Sequence, residues 1–336
     1  MTQDRARAVA LLSGGLDSSL AVSLMLEQGI DVVGLSFVGP FCACSPRHPG
    51  GCHLASEVAR RMGIRLRVVQ KGMDYLRIVE RPRFGRGRGL NPCIDCRVFM
   101  LRRAAVLMNE VGASFVVTGE VLGQRPMSQH RRAMELIERE SGIAGRILRP
   151  LSAHLLEPTQ PELAGVVDRR SLLAIQGRSR REQLAQAQRR SVEVLACGGG
   201  GCLLTDPVIA RRVQDLFDRC PDYTVADAKL TTFGRHFRLS SRLKVIVGRN
   251  GAENGRLFEL GGSAPQVEFV TQPGPSAILR GEYDGNDFEA VGRLLRFFAK
   301  KATAPEVEIR LRDADRMVCW HAKERATAAE IARWAI

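Results

Sequence analysis

Residues 13 to 19 read Ser13-Gly14-Gly15-Leu16-Asp17-Ser18-Ser19, directly after the apolar run Val9-Ala10-Leu11-Leu12. Gly14 and Gly15 lack Cβ atoms, so the backbone there can adopt positive φ and approach an anion closely. A turn that leaves a strand and opens a helix aims several N–H groups, and the positive helix end, at one point. Ser13, Ser18 and Ser19 add hydroxyl donors. This is chemistry suited to phosphate. No Gly-Lys-Ser/Thr follows, which excludes the Walker loop that serves γ-phosphate transfer.

The second set of reactive residues is made of cysteines. In Asn91-Pro92-Cys93-Ile94-Asp95-Cys96-Arg97, two thiols lie on one side of a helix start, where the helix's positive end lowers thiol pKa. Cys202 follows four glycines, Gly198 to Gly201, in a segment able to fold close to another site. Cys93, Cys96 and Cys202 can therefore meet as a tripod. Four readings stay open. Three thiolates can hold a [4Fe–4S] cluster with one iron left for substrate. One cysteine can carry a persulfide that another resolves. The three can bind zinc with one further ligand. Or the pair starts a helix and Cys202 is a small buried residue. Cys42, Cys44, His48, Cys52 and His53 form a third group. It suits zinc held by Cys42, Cys44 and Cys52, thiols that deliver sulfur, or a redox-sensitive loop without metal. Cys197, Cys220 and Cys319 read as structural or incidental.

The elements that must position these groups alternate along the first half. Val9–Leu12, Val32–Phe37, Leu66–Gln70 and Phe115–Thr118 read as strands; Asp17–Gln28, His53–Met62 and Asp95–Val111 read as helices. Such alternation predicts an α/β fold, a doubly wound parallel sheet with helices on both faces. Ligands of such sheets sit at the carboxyl ends of the strands. The glycine loop, the loop after Phe37 and the turn Thr118-Gly119-Glu120 all fall on that edge. Pro150 to Pro161 reads as an exposed connection, and Asp168–Val194 as a basic helix. After Pro221 the pattern changes to strands (Phe237–Arg249, Gln266–Leu279, Val307–Leu311) and helices (Asn286–Lys301, Thr327–Ala335), a second, α+β domain. The expected division is a catalytic domain over 1–207, a linker over 208–225 and the second domain over 226–336.

Composition narrows the partners. The chain has 336 residues, 45% hydrophobic, enough for two cored domains. Its net charge is +14, which favours a polyanion. Aromatic residues are only 5%, too few for recognition by stacking alone. No apolar stretch reaches the roughly 18 residues of a spanning helix, and no secretory signal is legible, so a cytoplasmic protein with no membrane partner is expected. Nine cysteines in such a setting point to metal or redox chemistry.

Ser-Gly-Gly-Leu-Asp-Ser-Ser, Asn-Pro-Cys-Ile-Asp-Cys-Arg and Thr118-Gly119-Glu120-Val121-Leu122-Gly123-Gln124-Arg125-Pro126-Met127-Ser128-Gln129 together resemble the PP-loop tRNA thiolation enzymes, the MnmA/TrmU-like and ThiI-like thiouridine synthetases. The resemblance covers about residues 8 to 207. It implies a PP-loop (HUP-like, adenine nucleotide α-hydrolase-like) fold and cleavage of ATP between the α and β phosphates. It implies that Ser13, Gly14, Gly15, Asp17, Ser18, Ser19, Phe37, Thr118, Gly119 and Glu120 bind ATP, with Asp17 supporting Mg²⁺ or the loop itself. A uridine oxygen would be adenylated and then displaced by sulfur. In several members a C-x-x-C plus a distant cysteine holds a [4Fe–4S] cluster, the pattern of Cys93, Cys96 and Cys202. Gln124 and Arg125 would contact the activated base or phosphate. The donor of sulfur is not legible.

The second half departs from the standard 2-thiouridine enzymes. Gly234-Arg235-His236-Phe237-Arg238-Leu239-Ser240, followed by Val247-Gly248-Arg249-Asn250 and Glu253-Asn254, resembles the NFACT-R RNA-binding module. That implies tRNA contact through Arg235, Arg238 and Arg249. Arg83, Arg86 and Arg88, set among glycines before the cysteine pair, and the patch Arg178, Arg180 and Arg181 suit the phosphate backbone. Solvated charged faces would read the same way. Two other functions remain compatible: a PP-loop adenylating enzyme for a small molecule, and a non-catalytic nucleotide-sensing RNA-binding protein. A homodimer is compatible with all three.

Overall fold

The computed structural model describes residues 5–42, 53–193, 201–299 and 304–336, which divide into two compact units, 1–202 and 203–336. The first contains β1 (Arg7–Leu11), α1 (Leu16–Glu27), β2 (Asp31–Val38), α2 (His53–Arg61), β3 (Arg65–Gln70), α3 (Met73–Glu80), α4 (Cys93–Glu110), β4 (Phe115–Thr118), α5 (Arg131–Ser141), β5 (Ile147–Leu148), α6 (Gln160–Leu163) and α7 (Arg181–Arg189). The strands form one parallel sheet in the order β3-β2-β1-β4-β5. This is the expected doubly wound α/β architecture. The strand order reverses at β1, so β1 and β4 flank the crevice where such sheets bind ligands.

Both faces of the sheet are buried, which is why its strands are near-continuous apolar runs. On one face Leu20, Ala21, Leu24 and Met25 of α1 pack with Val58 of α2 on Ala8, Ala10 and Val117. On the other, Val98, Leu101, Ala104 and Met108 of α4 pack on Val9, Leu35 and Val116. Each fully buried Leu or Val contributes about 1.5–3 kcal/mol. These two layers fix the start of α1 and the start of α4 at the same sheet edge.

The stretch expected as one helix is not one over its described part, 168–193. Its helical parts are a 3₁₀ turn over Arg169–Ser171 and α7; between them, Leu173 and Ile175 donate N–H bonds to the carbonyls of Pro150 and Leu151, and Gln176 bridges Leu122. Burial of Leu172 and Ile175 favours an extended return along the core, and Gly177 turns the chain at φ +87°. Periodicity there reads a helix because the polar residues around it are good helix formers.

The second unit contains α8 (Pro207–Arg219), α9 (Val225–Leu230), β6 (Arg235–Arg238), β7 (Leu243–Val247), α10 (Gly251–Gly261), β8 (Gln266–Phe269), β9 (Ala277–Gly281), α11 (Asp287–Phe298), β10 (Val307–Asp313), β11 (Arg316–Ala322) and α12 (Ala328–Trp334). Its antiparallel sheet runs β11-β10-β8-β9-β7-β6, an α+β domain. Two of the expected long strands are pairs: β6 with β7, and β8 with β9. The segment expected as a linker begins with α8, capped by Asp206, which accepts from the N–H groups of Val208 and Ile209. Its apolar face buries Val213 and Leu216, so this stretch belongs to the second unit. Among the described residues no helix is long and apolar enough to cross a membrane.

Candidate functional site

The glycine loop leaves β1 and ends as α1 begins. Gly14 has φ +78°, and a Cβ there would lie 2.6 Å from the backbone carbon of Leu54. Gly119, after β4, approaches α1 as closely: its Cβ would lie 2.5 Å from the nitrogen of Ser18. The two glycines let α1, α2 and the β4 turn converge at the crevice. The hydroxyls of Ser18 and Ser19 donate to the carbonyl of Gly15 at 2.9 and 3.0 Å, so they build the turn. Ser13 is exposed, and no side chain caps the α1 N-terminus. That end, with its unsatisfied donors, is available to an anion.

Asp17 lies in the first turn of α1. Its Oδ2 accepts from Gln124 Nε2 at 3.1 Å, while its Oδ1 is buried without a hydrogen-bond partner. A buried carboxylate oxygen with no donor is costly unless a cation or donor completes it. The residues therefore fit Mg²⁺ chemistry at this point.

The cysteine site lies at the start of α4. Asn91 Nδ2 stands 3.0 Å from Cys93 Sγ, and Lys71 Nζ stands 3.2 Å from Cys96 Sγ. Lys71 also sits 4.4 Å from the Tyr75 ring centre and 5.9 Å from that of Phe37. Phe37 thus belongs to the aromatic wall of the cysteine site, edge-on to Phe99. Burial pushes the Cys96 thiol up, but Lys71, the Tyr75 hydroxyl and Arg97 outweigh it and bring it below the ordinary thiol range. Burial and the neighbouring Cys96 push Cys93 up. The Tyr75 phenol is raised well above its usual value by burial first, then by Cys96, Cys202 and Cys93. The three cysteines therefore gather about one phenol. Cys42 joins them through an antiparallel backbone bridge to Cys202.

Three neighbouring thiols, one of them lowered in pKa beside Lys71, suit a cluster or a sulfur carrier in donor chemistry. Among the described residues no three His, Cys, Asp or Glu side chains converge on a single ion. The zinc expectation thus finds no support at Cys42; Cys44, His48 and Cys52 lie outside the described residues.

One short segment links the two sites. Gln124 holds Asp17, and the charge of the next residue, Arg125, acts on Cys93. Asp95, within the cysteine motif, accepts from the N–H groups of Arg83 and Phe84 at 2.9 and 3.1 Å. It ties the arginine loop to the helix that carries the thiols. Sequence reasoning missed Lys71, Tyr75 and Asp95; an acidic residue between two cysteines at a helix start was the only signal.

Thr118 and Glu120, expected at the nucleotide, are each 1% exposed. Glu120 Oε2 accepts from Arg149 Nε at 3.1 Å, and Arg97 Nε stands 3.2 Å from Oε1, in ion-pair range without hydrogen-bond alignment. Burial pushes this carboxyl up, but Arg97 and Arg149 outweigh it and the net shift is downward. Glu120 therefore positions Arg97 beside the thiols. Changing Glu120 to Gln breaks a buried pair and should cost about 3–5 kcal/mol. The contribution is present above the ordinary carboxylate pKa and is lost as pH falls through the lower folded-state value. Urea titrations of both proteins between neutral and acid pH would check this; equal stability throughout would contradict it.

The basic residues divide. Arg88, Arg178, Arg180 and Arg181 are exposed and have no acidic partner among the described residues. Arg83 pairs with Glu140 at 2.7 Å, and Arg86 donates to the carbonyls of Val79 and Glu80, closing the end of α3. In the second unit Arg238 is not available to a ligand. It makes two bonds to Asp215, at 3.0 and 2.7 Å, and Lys244 shares that carboxylate at 2.7 Å. The period-two strand pattern turns Arg238 toward α8, a helix within the stretch expected as linker.

Arg235 and Arg249 instead face one another's field near the start of α10, which Asn250 caps. Arg212, not anticipated, is pushed down to about 10 by burial first, then by Arg249 and Arg211, and its Nε is buried without a partner. Arg249 also pairs with Glu253 at 2.6 Å, which offsets part of the positive charge these side chains bring to the helix start. Gly234 permits this arrangement: its φ is +65°, and a Cβ would lie 2.8 Å from the carbonyl oxygen of Val247.

Comparison with known proteins agrees with both halves. Residues 2–154 match the family model of the thiamine biosynthesis protein (ThiI), and residues 234–335 match the NFACT protein RNA binding domain. The chain is 29% identical over 138 residues to the tRNA-specific 2-thiouridylase MnmA of Azorhizobium caulinodans, covering 38% of this chain and 35% of that protein. It is 34% identical over 128 residues to that of Clostridium acetobutylicum, covering 34% and 35%. The chain thus spans about a third of the length of the curated relatives it matches. A crystal structure of a 4-thiouridine synthetase–RNA complex with bound ATP is 21% identical, with a TM-score of 0.35, over 64% of this chain and 51% of that one.

Proposed function

For a chain that joins a ThiI-like PP-loop domain to an NFACT-type RNA-binding domain, we propose an ATP-dependent sulfur transfer to tRNA. The observation that carries the proposal is the Gln124-Arg125 segment, which touches Asp17 on one side and acts on Cys93 on the other. A segment shared in this way supports an ATP-splitting loop and a sulfur site that act on one reacting atom.

The α1 N-terminus and the glycine loop hold the phosphates, and Asp17 would hold Mg²⁺, which would supply positive charge to the pyrophosphate. A uridine carbonyl oxygen attacks the α-phosphate and becomes an AMP leaving group. Arg125 and Arg97 supply positive charge beside the thiols. Sulfur from the cysteine set then displaces AMP. A [4Fe–4S] cluster, if bound, would be held by Cys93, Cys96 and Cys202 and would offer an open iron as a place for sulfur. Lys71 and Tyr75 hydrogen-bond Cys96 and lower the pKa of that thiol, which favours its ligand form. Deleting the encoding gene and measuring tRNA nucleosides by mass spectrometry tests the reading. One thionucleoside should disappear; an unchanged nucleoside profile contradicts it.

The second unit supplies RNA affinity through Arg212, Arg235 and Arg249. Replacing Arg235 and Arg249 by Ala should weaken tRNA binding about uniformly across sequences. The slope of log affinity against log salt should fall by roughly one for each phosphate no longer neutralised. Filter binding across a salt series measures both. The matching change of Arg238 should instead lower stability through α8.

A further inference from the structure

The loop between α3 and α4 is anchored at both ends and exposed at its tip. Arg86 closes the end of α3, the N–H groups of Arg83 and Phe84 donate to Asp95, and Leu90 is buried. Between these anchors the turn Gly87-Arg88-Gly89 presents the Arg88 side chain to solvent, with Gly89 at φ +64°. Behind the turn lies Met127. A Cβ on Gly87 would overlap its Sδ, so the bare Cα makes room for that sulfur. Met127 belongs to a closed loop after β4. The Gly123 N–H donates to the Gln129 carbonyl at 2.6 Å, and the Gln129 N–H donates to the Arg125 carbonyl at 3.0 Å. Those bonds tie 123–129 into one piece. That piece carries Gln124, bonded to Asp17, and Arg125, whose charge acts on Cys93. The two loops therefore meet where Gly87 rests on Met127.

We propose that Met127 is a positioning residue through which RNA bound at Arg88 sets Gln124 and Arg125, an inference that rests on the sulfur-transfer reading. Arg88 is exposed and has no acidic partner among the described residues, so an RNA phosphate supplies the charge that holds it. A phosphate there fixes the Gly87-Arg88-Gly89 turn. The fixed turn backs Met127, and the loop 123–129 loses the freedom to draw Gln124 away from Asp17 or Arg125 away from the thiols. Ordering one loop thus lowers the cost of ordering the other. The result is ATP cleavage that runs fastest when RNA is seated, without any RNA atom touching Met127. Alignment of this kind is worth up to about 10²-fold in rate, since a misplacement of about 1 Å can cost that much.

Two measurements on the full-length protein test this. The first follows amide hydrogen exchange with and without unmodified tRNA, in the absence of ATP. Exchange should slow over 86–90 and 123–129 together in the natural protein, and over 86–90 alone in Met127→Ala. Equal slowing over 123–129 in Met127→Ala, or no slowing over 86–90 with tRNA bound, overturns the proposal without touching the sulfur-transfer reading. The second measures tRNA-dependent pyrophosphate release. Met127→Ala should lower kcat roughly tenfold to a hundredfold and leave the KM for tRNA within about twofold. Met127→Leu, of similar volume, should restore kcat. An unchanged kcat in Met127→Ala, with or without a raised KM, overturns the proposal, as does a loss that Met127→Leu shares. A natural protein that forms no thionucleoside contradicts the sulfur-transfer reading instead, and the exchange result still decides the role of Met127.

Discussion

Replacement of Asp17 by Asn should lower tRNA-dependent pyrophosphate release roughly a hundredfold to a thousandfold, the loss that follows removal of one pre-placed charge-stabilising group. The change is nearly isosteric, so α1 and its packing should survive. What disappears is the negative charge at a buried oxygen that has no protein donor. Gln124 can still donate to the amide oxygen of the new side chain, so the loop after β4 keeps its place. Pyrophosphate release at saturating ATP and Mg²⁺ measures the effect, with tRNA affinity as the control. A decrease below threefold would mean that Asp17 only supports the loop and that the charge on the pyrophosphate is met elsewhere.

Replacement of Cys96 or Cys202 by Ser should abolish thionucleoside formation, a loss of roughly 10³-fold or more, as when one member of a group acting as a unit is removed. Pyrophosphate release should persist in both variants. The reason is spatial: Asp17 and the α1 N-terminus do not depend on the thiols, Cys96 standing in the first turn of α4 and Cys202 beyond the end of α7. Serine preserves size but cannot carry sulfur. Chromatography of digested tRNA beside a pyrophosphate assay separates the two half-reactions. Equal loss of both would place the cysteines in folding or in ATP binding.

Much of the first unit is legible because its signals are local. The run from Val9 to Leu12, two glycines and a helix opening at Asp17 specify β1, the phosphate loop and α1 to within about two residues at each end. Cys93 and Cys96 are legible for the same reason, as a spacing at a helix start. Glu120 was not, because its role depends on Arg97 and Arg149, which come from other segments. Arg238 and Arg212 show the same effect in the second unit. A strand pattern reads one face as basic, but the arrival of α8 with Asp215 gives Arg238 an internal partner. Burial brings Arg212, unremarked in sequence, into the cluster. The loop 81–90 has composition suited to phosphate, yet Asp95 and the α3 carbonyls already hold Arg83's backbone and Arg86's side chain.

In the proposed reaction one chain couples ATP cleavage to sulfur delivery on RNA. The most direct measurement incubates the full-length protein with α-labelled ATP, unmodified tRNA and a sulfide or persulfide source, then counts AMP and thionucleoside together. One AMP should form for each thionucleoside, and neither product without tRNA. AMP formed at the same rate without tRNA, or with no thionucleoside appearing, would contradict it.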